Sequence, residues 1–89
     1  MGVVGKVLVS EPAFFFSLLR FEPDGTIHEH PGENDTYVAC LDGSGWTSVG
    51  EERARLEAGQ FVVWPKGVPH RLWTEGTTMT TLMYERTDA

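Results

Sequence analysis

The segment GQFVVWPKGVPH, residues 59–70, joins a continuous apolar run to a rigid turn that ends in a histidine. Its apolar part, residues 61–64, contains no polar side chain, which is typical of a strand buried on both faces. Two prolines then restrict the backbone, and Gly67 permits the conformations that a turn requires. The segment therefore predicts two strands, with His70 at the start of the second.

Short apolar runs separated by glycine and proline continue in both directions from this segment. No stretch of 10–12 residues has apolar residues at the spacing of a helix. The one segment that could be helical instead, residues 51–58, is short and bounded by Gly50 and Gly59, and we predict it as a strand. We predict a hairpin around residues 50–52 and a turn at residues 42–45, DGSG. The predicted strands cover residues 7–9, 14–21, 26–30, 36–41, 46–49, 53–56, 61–64, 71–74 and 78–85. This spacing indicates an all-β protein, an antiparallel barrel or double-sheet roll.

Length and composition narrow the class of protein. A chain of 89 residues supports one domain, residues 1–89, of a size that often gains stability from a metal or from oligomerisation. The net charge of -6 and the scattered basic residues argue against nucleic-acid binding. No apolar run approaches the roughly 18 residues of a membrane helix, and no signal peptide is visible. We therefore expect a cytoplasmic protein without a membrane partner.

Cys40 is the only cysteine, so an internal disulfide is impossible. It lies in the apolar run of residues 37–41, where a buried strand residue is favoured over a reactive thiol.

The three histidines occupy positions that suit a metal. His28 and His30 form a His-x-His pair, and side chains two apart in a strand point to the same face. His70, from a distant strand, could complete a facial site. Three imidazoles suit zinc, iron, copper or nickel better than magnesium or calcium.

The alternation of strand side chains extends this prediction to residues around the histidines. Thr26 has the parity of His28, while Leu72 and Thr74 have the parity of His70, so we expect all three to line the pocket. Arg20 interrupts an apolar run and is a fourth candidate for the pocket lining, because it could pair with an anionic substrate in the mouth of the barrel. The alternatives for Arg20 are a place on the solvent face or a pair with Glu22.

Two segments resemble the motifs of the cupin superfamily. Gly59, Pro65, Gly67 and His70 match the second cupin motif at every spacing, although Thr74 stands where the family has a closing asparagine. The first motif is matched by Gly25, His28, His30, the acidic stretch 33–35 and Gly43, with a shorter gap after Gly25. The resemblance divides the chain into a first motif at 25–43, a hairpin at 44–58 and a second motif at 59–74.

The resemblance implies a small antiparallel cupin β-barrel, a double-stranded β-helix of the jelly-roll type with six to eight or more short strands. It also implies one divalent transition metal per chain (iron, manganese, nickel, zinc or copper) inside one end of the barrel. The implied ligands are His28, His30 and His70.

A glutamate of the first motif commonly supplies a fourth ligand in this family. A gap of four residues after His30 leads to Asp35, whereas a gap of six before Gly43 leads to Thr36, which has no carboxylate. A one-residue offset on a strand reverses the face, so both counts hold together only with a bulge. We predict Asp35 as the fourth ligand, with Glu33 second and a water-completed three-histidine site as the remaining alternative.

Two classes of function follow, because this fold carries many chemistries. One is a metal-dependent enzyme that acts on a small molecule by dioxygenase-like, isomerase-like or decarboxylase-like chemistry. The other is a non-catalytic module that binds or senses a sugar, an amino acid or another metabolite, with or without metal. Cupins resembling this chain usually form homodimers by pairing sheets, and residues 7–9 offer an edge strand for that.

Overall fold

A computed structural model of the protein describes residues 2–87, apart from the side chain of His30. The described residues form eight strands and no helix, so none of them belongs to a helix long and apolar enough to cross a membrane. The strands are β1 (Val3–Glu11), β2 (Phe14–Phe21), β3 (Thr26–Pro31), β4 (Thr36–Val49), β5 (Glu52–Glu57), β6 (Phe61–Trp64), β7 (Pro69–Trp73) and β8 (Met79–Arg86).

All strand pairs are antiparallel, and together they form a curled sheet in the order β1-β2-β8-β4-β7-β3. Strands β5 and β6 pair with β4 outside this path. The first half of β4 lies between β8 and β6, and its second half lies between β7 and β5. Strand β4 therefore connects the two halves of the curled sheet, and the predicted all-β antiparallel fold is confirmed.

The predicted turn at residues 42–45 is wrong, because β4 runs through it without reversing. A bulge lies between Cys40 and Asp42 in the pairing with β8, and Gly43 adopts a φ of +78°. Glycine tolerates this backbone conformation, and a bulge bends a strand without ending it. The bulge also shifts which positions of β4 face the core. Even-numbered residues, Val38 and Cys40, are buried before the bulge, and an odd-numbered residue, Thr47, is buried after it.

The strand prediction for residues 51–58 is confirmed. Val49 pairs with Glu52 across a tight turn, and β5 runs antiparallel to the second half of β4. Gly50, in the turn, has a φ of +60°, which suits a two-residue hairpin loop. Leu56 is the one buried residue of β5 and packs into the core.

The core lies between the two halves of the sheet. It is formed by buried side chains from seven positions, namely Phe21, Val38, Cys40, Leu56, Trp64, Leu72 and Met79. Cys40 is buried, as predicted, and this burial raises the pKa of its thiol. Because the thiolate is the reactive form, the raised pKa disfavours that form of Cys40 at neutral pH.

Strand β1 lies at one end of the strand order, as predicted for residues 7–9. Val7, Leu8 and Val9 are 58%, 48% and 44% exposed, so apolar side chains on both faces of this strand meet solvent. The homodimer expected from the resemblance stays a prediction.

Candidate functional site

A cavity of about 290 Å³ opens beside His70. Its wall combines apolar side chains with an imidazole, an amide, a hydroxyl and carboxylates, the mixture typical of a small-molecule site. The lining residues are Ile27, Pro31, Gly32, Glu33, Asn34, Thr36, Trp64, His70, Met83 and Glu85.

His70 is held rigidly in the wall of this cavity. Its backbone pairs with β3 on one side and with β4 on the other, and its side chain is only 3% exposed. The ring of Trp64 stacks on the imidazole, with 4.0 Å between centroids and 8° between planes. The indole Nε1 of Trp64 donates a hydrogen bond of 3.1 Å to Oγ1 of Thr47, which fixes the stacking ring. The imidazole is therefore positioned before any ligand binds.

Gly32 leaves room for this imidazole. A Cβ atom at residue 32 would lie 2.8 Å from Cε1 of His70, closer than side chains pack. The backbone N–H of Gly67 donates to the carbonyl of Gly32 at 2.9 Å, which ties the turn before β7 to the segment after β3. The two predicted motifs thus meet at the cavity.

Strand β3 departs from simple alternation where the His-x-His pair lies. Ile27 pairs with Leu72 and His30 pairs with His70, so a bulge places one extra residue in β3 between these pairs. The backbone of His30 is therefore directly opposite that of His70, while the side chain of His30 lies outside the described part of the structure. His28 lies in the bulge, where it is exposed and is not part of the cavity lining.

The start of β4 presents Thr36 to the cavity rather than a carboxylate. Thr36 is 4% exposed, and its hydroxyl donates to the carbonyl of Asn34 at 3.4 Å. Asp35 is exposed, and its Oδ1 accepts a hydrogen bond of 2.8 Å from the backbone N–H of Lys66. The structure therefore uses Asp35 to hold the turn before His70. Glu33 is exposed and lies at the edge of the cavity.

A metal ion would need several donor side chains at this cavity. Within residues 2–87, leaving aside the His30 side chain, no three His, Cys, Asp or Glu side chains are grouped to hold one. The cavity nevertheless offers the imidazole of His70 and the carboxylate of Glu85, and the backbone of His30 is opposite His70. Imidazole and carboxylate together suit a divalent first-row ion, so the donor chemistry of His70 and Glu85 fits such an ion.

The family model described as "Cupin domain" matches residues 17–84, which is most of the chain. The chain belongs to the cupin family. The match begins within β2 and ends within β8, so it includes both motifs and every residue that lines the cavity except Glu85.

Solved structures with the same fold include a conserved protein of unknown function from Streptococcus pyogenes, with a TM-score of 0.85, 24% identity, and coverage of 94% of this chain and 73% of that one. A cupin 2 conserved barrel domain protein from Leptotrichia buccalis has a TM-score of 0.89 and 25% identity, with coverage of 94% and 40%. The polyketide cyclase RemF from Streptomyces resistomycificus has a TM-score of 0.87 and 20% identity, with coverage of 97% and 66%. No curated protein matches the sequence.

Two of the residues predicted to line the pocket of this cupin belong to other faces of the sheet. The hydroxyl of Thr26 accepts a hydrogen bond of 3.3 Å from Nε of Arg71, whose guanidinium lies over the ring of Trp73. Thr26 pairs with Trp73 because the bulge in β3 reverses the expected parity. Arg20 is exposed, and its Nη1 donates to Oγ1 of Thr80 at 3.4 Å.

The two predicted residues that follow His70 are buried but support the fold beside the cavity. Leu72 is fully buried in the core. The hydroxyl of Thr74 donates to the carbonyl of Glu22 at 2.6 Å and accepts from the N–H of Gly25 at 3.0 Å. Thr74 therefore secures the turn that precedes β3.

Sequence reasoning missed Asn34 and Glu85, which supply polar groups to the cavity. Nδ2 of Asn34 donates to Oε2 of Glu85 at 2.7 Å across 51 residues of chain. The alternation of Thr81, Met83 and Glu85 along β8 indicates a shared face. However, only the pairing of β8 with β4 brings that face to His70.

Proposed function

We propose that this cupin binds a small molecule and a divalent transition metal in the cavity beside His70. The observation that carries the proposal is the setting of His70: a buried imidazole, stacked on Trp64, that faces a cavity with further polar groups. A histidine that served packing alone would not need an adjoining cavity lined by Asn34 and Glu85. A preorganised imidazole of this kind is what a metal ligand requires.

The proposed nitrogen ligands are His70 and His30, which lies opposite His70 in the strand register, and His28 is the third histidine that the cupin motif implies. Residues directly opposite each other in an antiparallel pair share a sheet face, which supports His30 as the partner of His70. When bound, the metal would act as a Lewis acid on an oxygen of the small molecule. Trp64 and Met83 would offer apolar surface to the small molecule, and Asn34 would offer a hydrogen-bond donor.

An enzymatic role, dioxygenase-like or isomerase-like, belongs to this proposal as the class of activity to be assayed. A second candidate, metal-free binding of a small metabolite, is favoured by the apolar part of the lining. Ile27, Trp64 and Met83 contribute apolar surface to the lining, as in ordinary ligand pockets.

The test is a metal titration of protein prepared without a histidine tag and stripped with a chelator. We expect close to one ion per chain, and a gain in unfolding free energy of about 2.7 kcal/mol when the free ion is at 100 times its Kd. His70→Phe keeps an aromatic ring against Trp64 but removes both ring nitrogens, so it should remain folded and lose the ion. His70→Ala provides a second variant.

Metal binding to His70→Phe with unchanged stoichiometry and affinity would contradict the metal site. Thermal-shift screening of the stripped protein against metabolites then separates the two candidates. Stabilisation by a metabolite without metal, equal in wild type and in His70→Phe, would favour the metal-free binding module.

A further inference from the structure

We infer that Glu85, on the last strand, supplies the carboxylate ligand that neither Asp35 nor Thr36 provides at the expected first-motif position. This inference rests on the proposed metal site. The position at the start of β4 that faces the cavity is Thr36, whose hydroxyl is a poor substitute for a carboxylate. The neighbouring Asp35 holds the N–H of Lys66 and is exposed. The cavity therefore receives no carboxylate from Asp35 or Thr36.

Strand β8 brings a carboxylate to the same place. Glu85 pairs directly with Thr36, and Met83 pairs with Val38 two residues further along the ladder. Val38 is fully buried and Met83 packs against the core, so this face of both strands points inward. Because directly paired residues share a face, Glu85 points inward with Thr36. It accordingly lines the cavity together with His70.

The carboxylate of Glu85 is also oriented. Nδ2 of Asn34 donates to its Oε2 at 2.7 Å, a short bond to an ionisable acceptor. A carboxylate has two oxygens with about four acceptor sites, so this bond leaves capacity for a metal. Hydrogen-bonded partners of this kind orient metal ligands in proteins. Asn34 is therefore assigned as the positioning residue for Glu85.

The resulting ligand set is His30 and His70 on adjacent strands, with Glu85 on the strand that borders the cavity from the other half of the sheet. Two imidazoles and one carboxylate would hold a divalent ion, and this donor set is typical of non-haem iron(II) centres. His28, exposed in the bulge, is outside this set. The inference thus replaces the three-histidine site with a two-histidine, one-carboxylate site.

Cobalt(II) alone is a suitable probe, because its affinity can be measured by competition with a chromogenic chelator and its visible absorption reports the ligands. Loss of an outer-shell partner typically weakens metal binding about 10–100-fold. We expect Asn34→Ala to fall in this range and Glu85→Gln to reach or exceed its upper end, with a changed absorption spectrum. Glu85→Asp keeps the charge on a shorter side chain and should fall between wild type and Glu85→Gln.

Glu51→Gln is the matched control, since it makes the same charge change at an exposed residue of the β4–β5 turn. It should bind cobalt(II) as wild type does. The rival ligands are tested by His28→Ala, Asp35→Asn and Glu33→Gln, and each should weaken binding less than Glu85→Gln does. Circular dichroism of each stripped variant checks folding, and Glu85→Asp with Asn34→Ala carries the test if Glu85→Gln does not fold.

Wild-type affinity and spectrum in Glu85→Gln would overturn the inference. A large loss in His28→Ala beside an intact Glu85→Gln would overturn it in favour of three histidines, while the metal site itself would stand. Unchanged binding in His70→Phe would instead refute the metal site, so the two failures are distinguishable.

Discussion

Replacing Gly32 with alanine tests how closely the cavity holds His70. The added Cβ would lie 2.8 Å from Cε1 of His70, whereas ordinary contacts begin at 3.4 Å, so the imidazole must move by about 0.6 Å (3.4 − 2.8). Residue 32 has no positive φ, so alanine suits the backbone there. The stacking on Trp64 at 4.0 Å resists rotation of the imidazole, so a shift disturbs its position in the cavity.

Metal–ligand distances tolerate deviations of about 0.2 Å, so a displacement of this size is disruptive. We expect Gly32→Ala to bind cobalt(II) about 10–100-fold more weakly, as when a ligand loses its orienting partner. Overpacking should also lower the unfolding free energy by about 1–3 kcal/mol. Chelator competition measures the affinity, and urea denaturation of the stripped protein measures the stability.

Gly5→Ala is the matched control for crowding. Its Cβ would lie 2.7 Å from Cδ2 of Leu19, a similar overlap on β1 and β2 away from the cavity lining. It should therefore affect stability without changing cobalt(II) affinity. The reasoning fails if folded Gly32→Ala binds as tightly as wild type, or if Gly5→Ala weakens binding equally.

Three further predictions concern the scaffold. Leu72→Ala, at a fully buried core position, should lower the unfolding free energy by about 2–5 kcal/mol in urea denaturation; a loss below this range would mean that the core collapses around the vacancy. Thr74→Val should cost about 1–3 kcal/mol in the same assay, because the carbonyl of Glu22 and the N–H of Gly25 lose a buried partner, and an unchanged midpoint would show that water replaces the hydroxyl. The pKa of the Cys40 thiol is raised in the folded state, so unfolding releases its proton more readily. The contribution of this thiol to stability is complete below pH 9.0, its ordinary pKa, and declines as the pH rises beyond that value. Denaturation across this pH range should therefore show a steeper loss of unfolding free energy for wild type than for Cys40→Ala. Equal slopes of unfolding free energy against pH would contradict the raised pKa.

Most of the fold was predictable because glycine, proline and apolar runs are local signals. They located all eight strands approximately, and they identified the β4–β5 hairpin over its helical rival. The exception is the segment 42–45, where two glycines in four residues indicated a turn. The same residues bend β4 at a bulge because β8 pairs with the chain on both sides of it. Local composition does not distinguish a bend within a strand from a reversal.

The candidate site was predictable only in part, for a related reason. The spacing of the second motif identified His70, and the structure places that residue in the cavity wall. Strict alternation assigned Thr26 and His28 to the face of the pocket, but the bulge in β3 changes the parity of both. One inserted residue redirects the side chains around it, and whether a bulge is favourable at that place depends on the pairing of β3 with β7.

The sequence by itself determined that this chain is an all-β cupin with His70 at the start of a strand after a rigid turn, because those features depend on residues close together in the chain. The tertiary structure decided which side chains share the cavity with it. Glu85 and Asn34 are 51 residues apart and meet through the pairing of β8 with β4. Strand register is set by packing across the whole sheet, so no local pattern around Glu85 could have assigned it to that cavity.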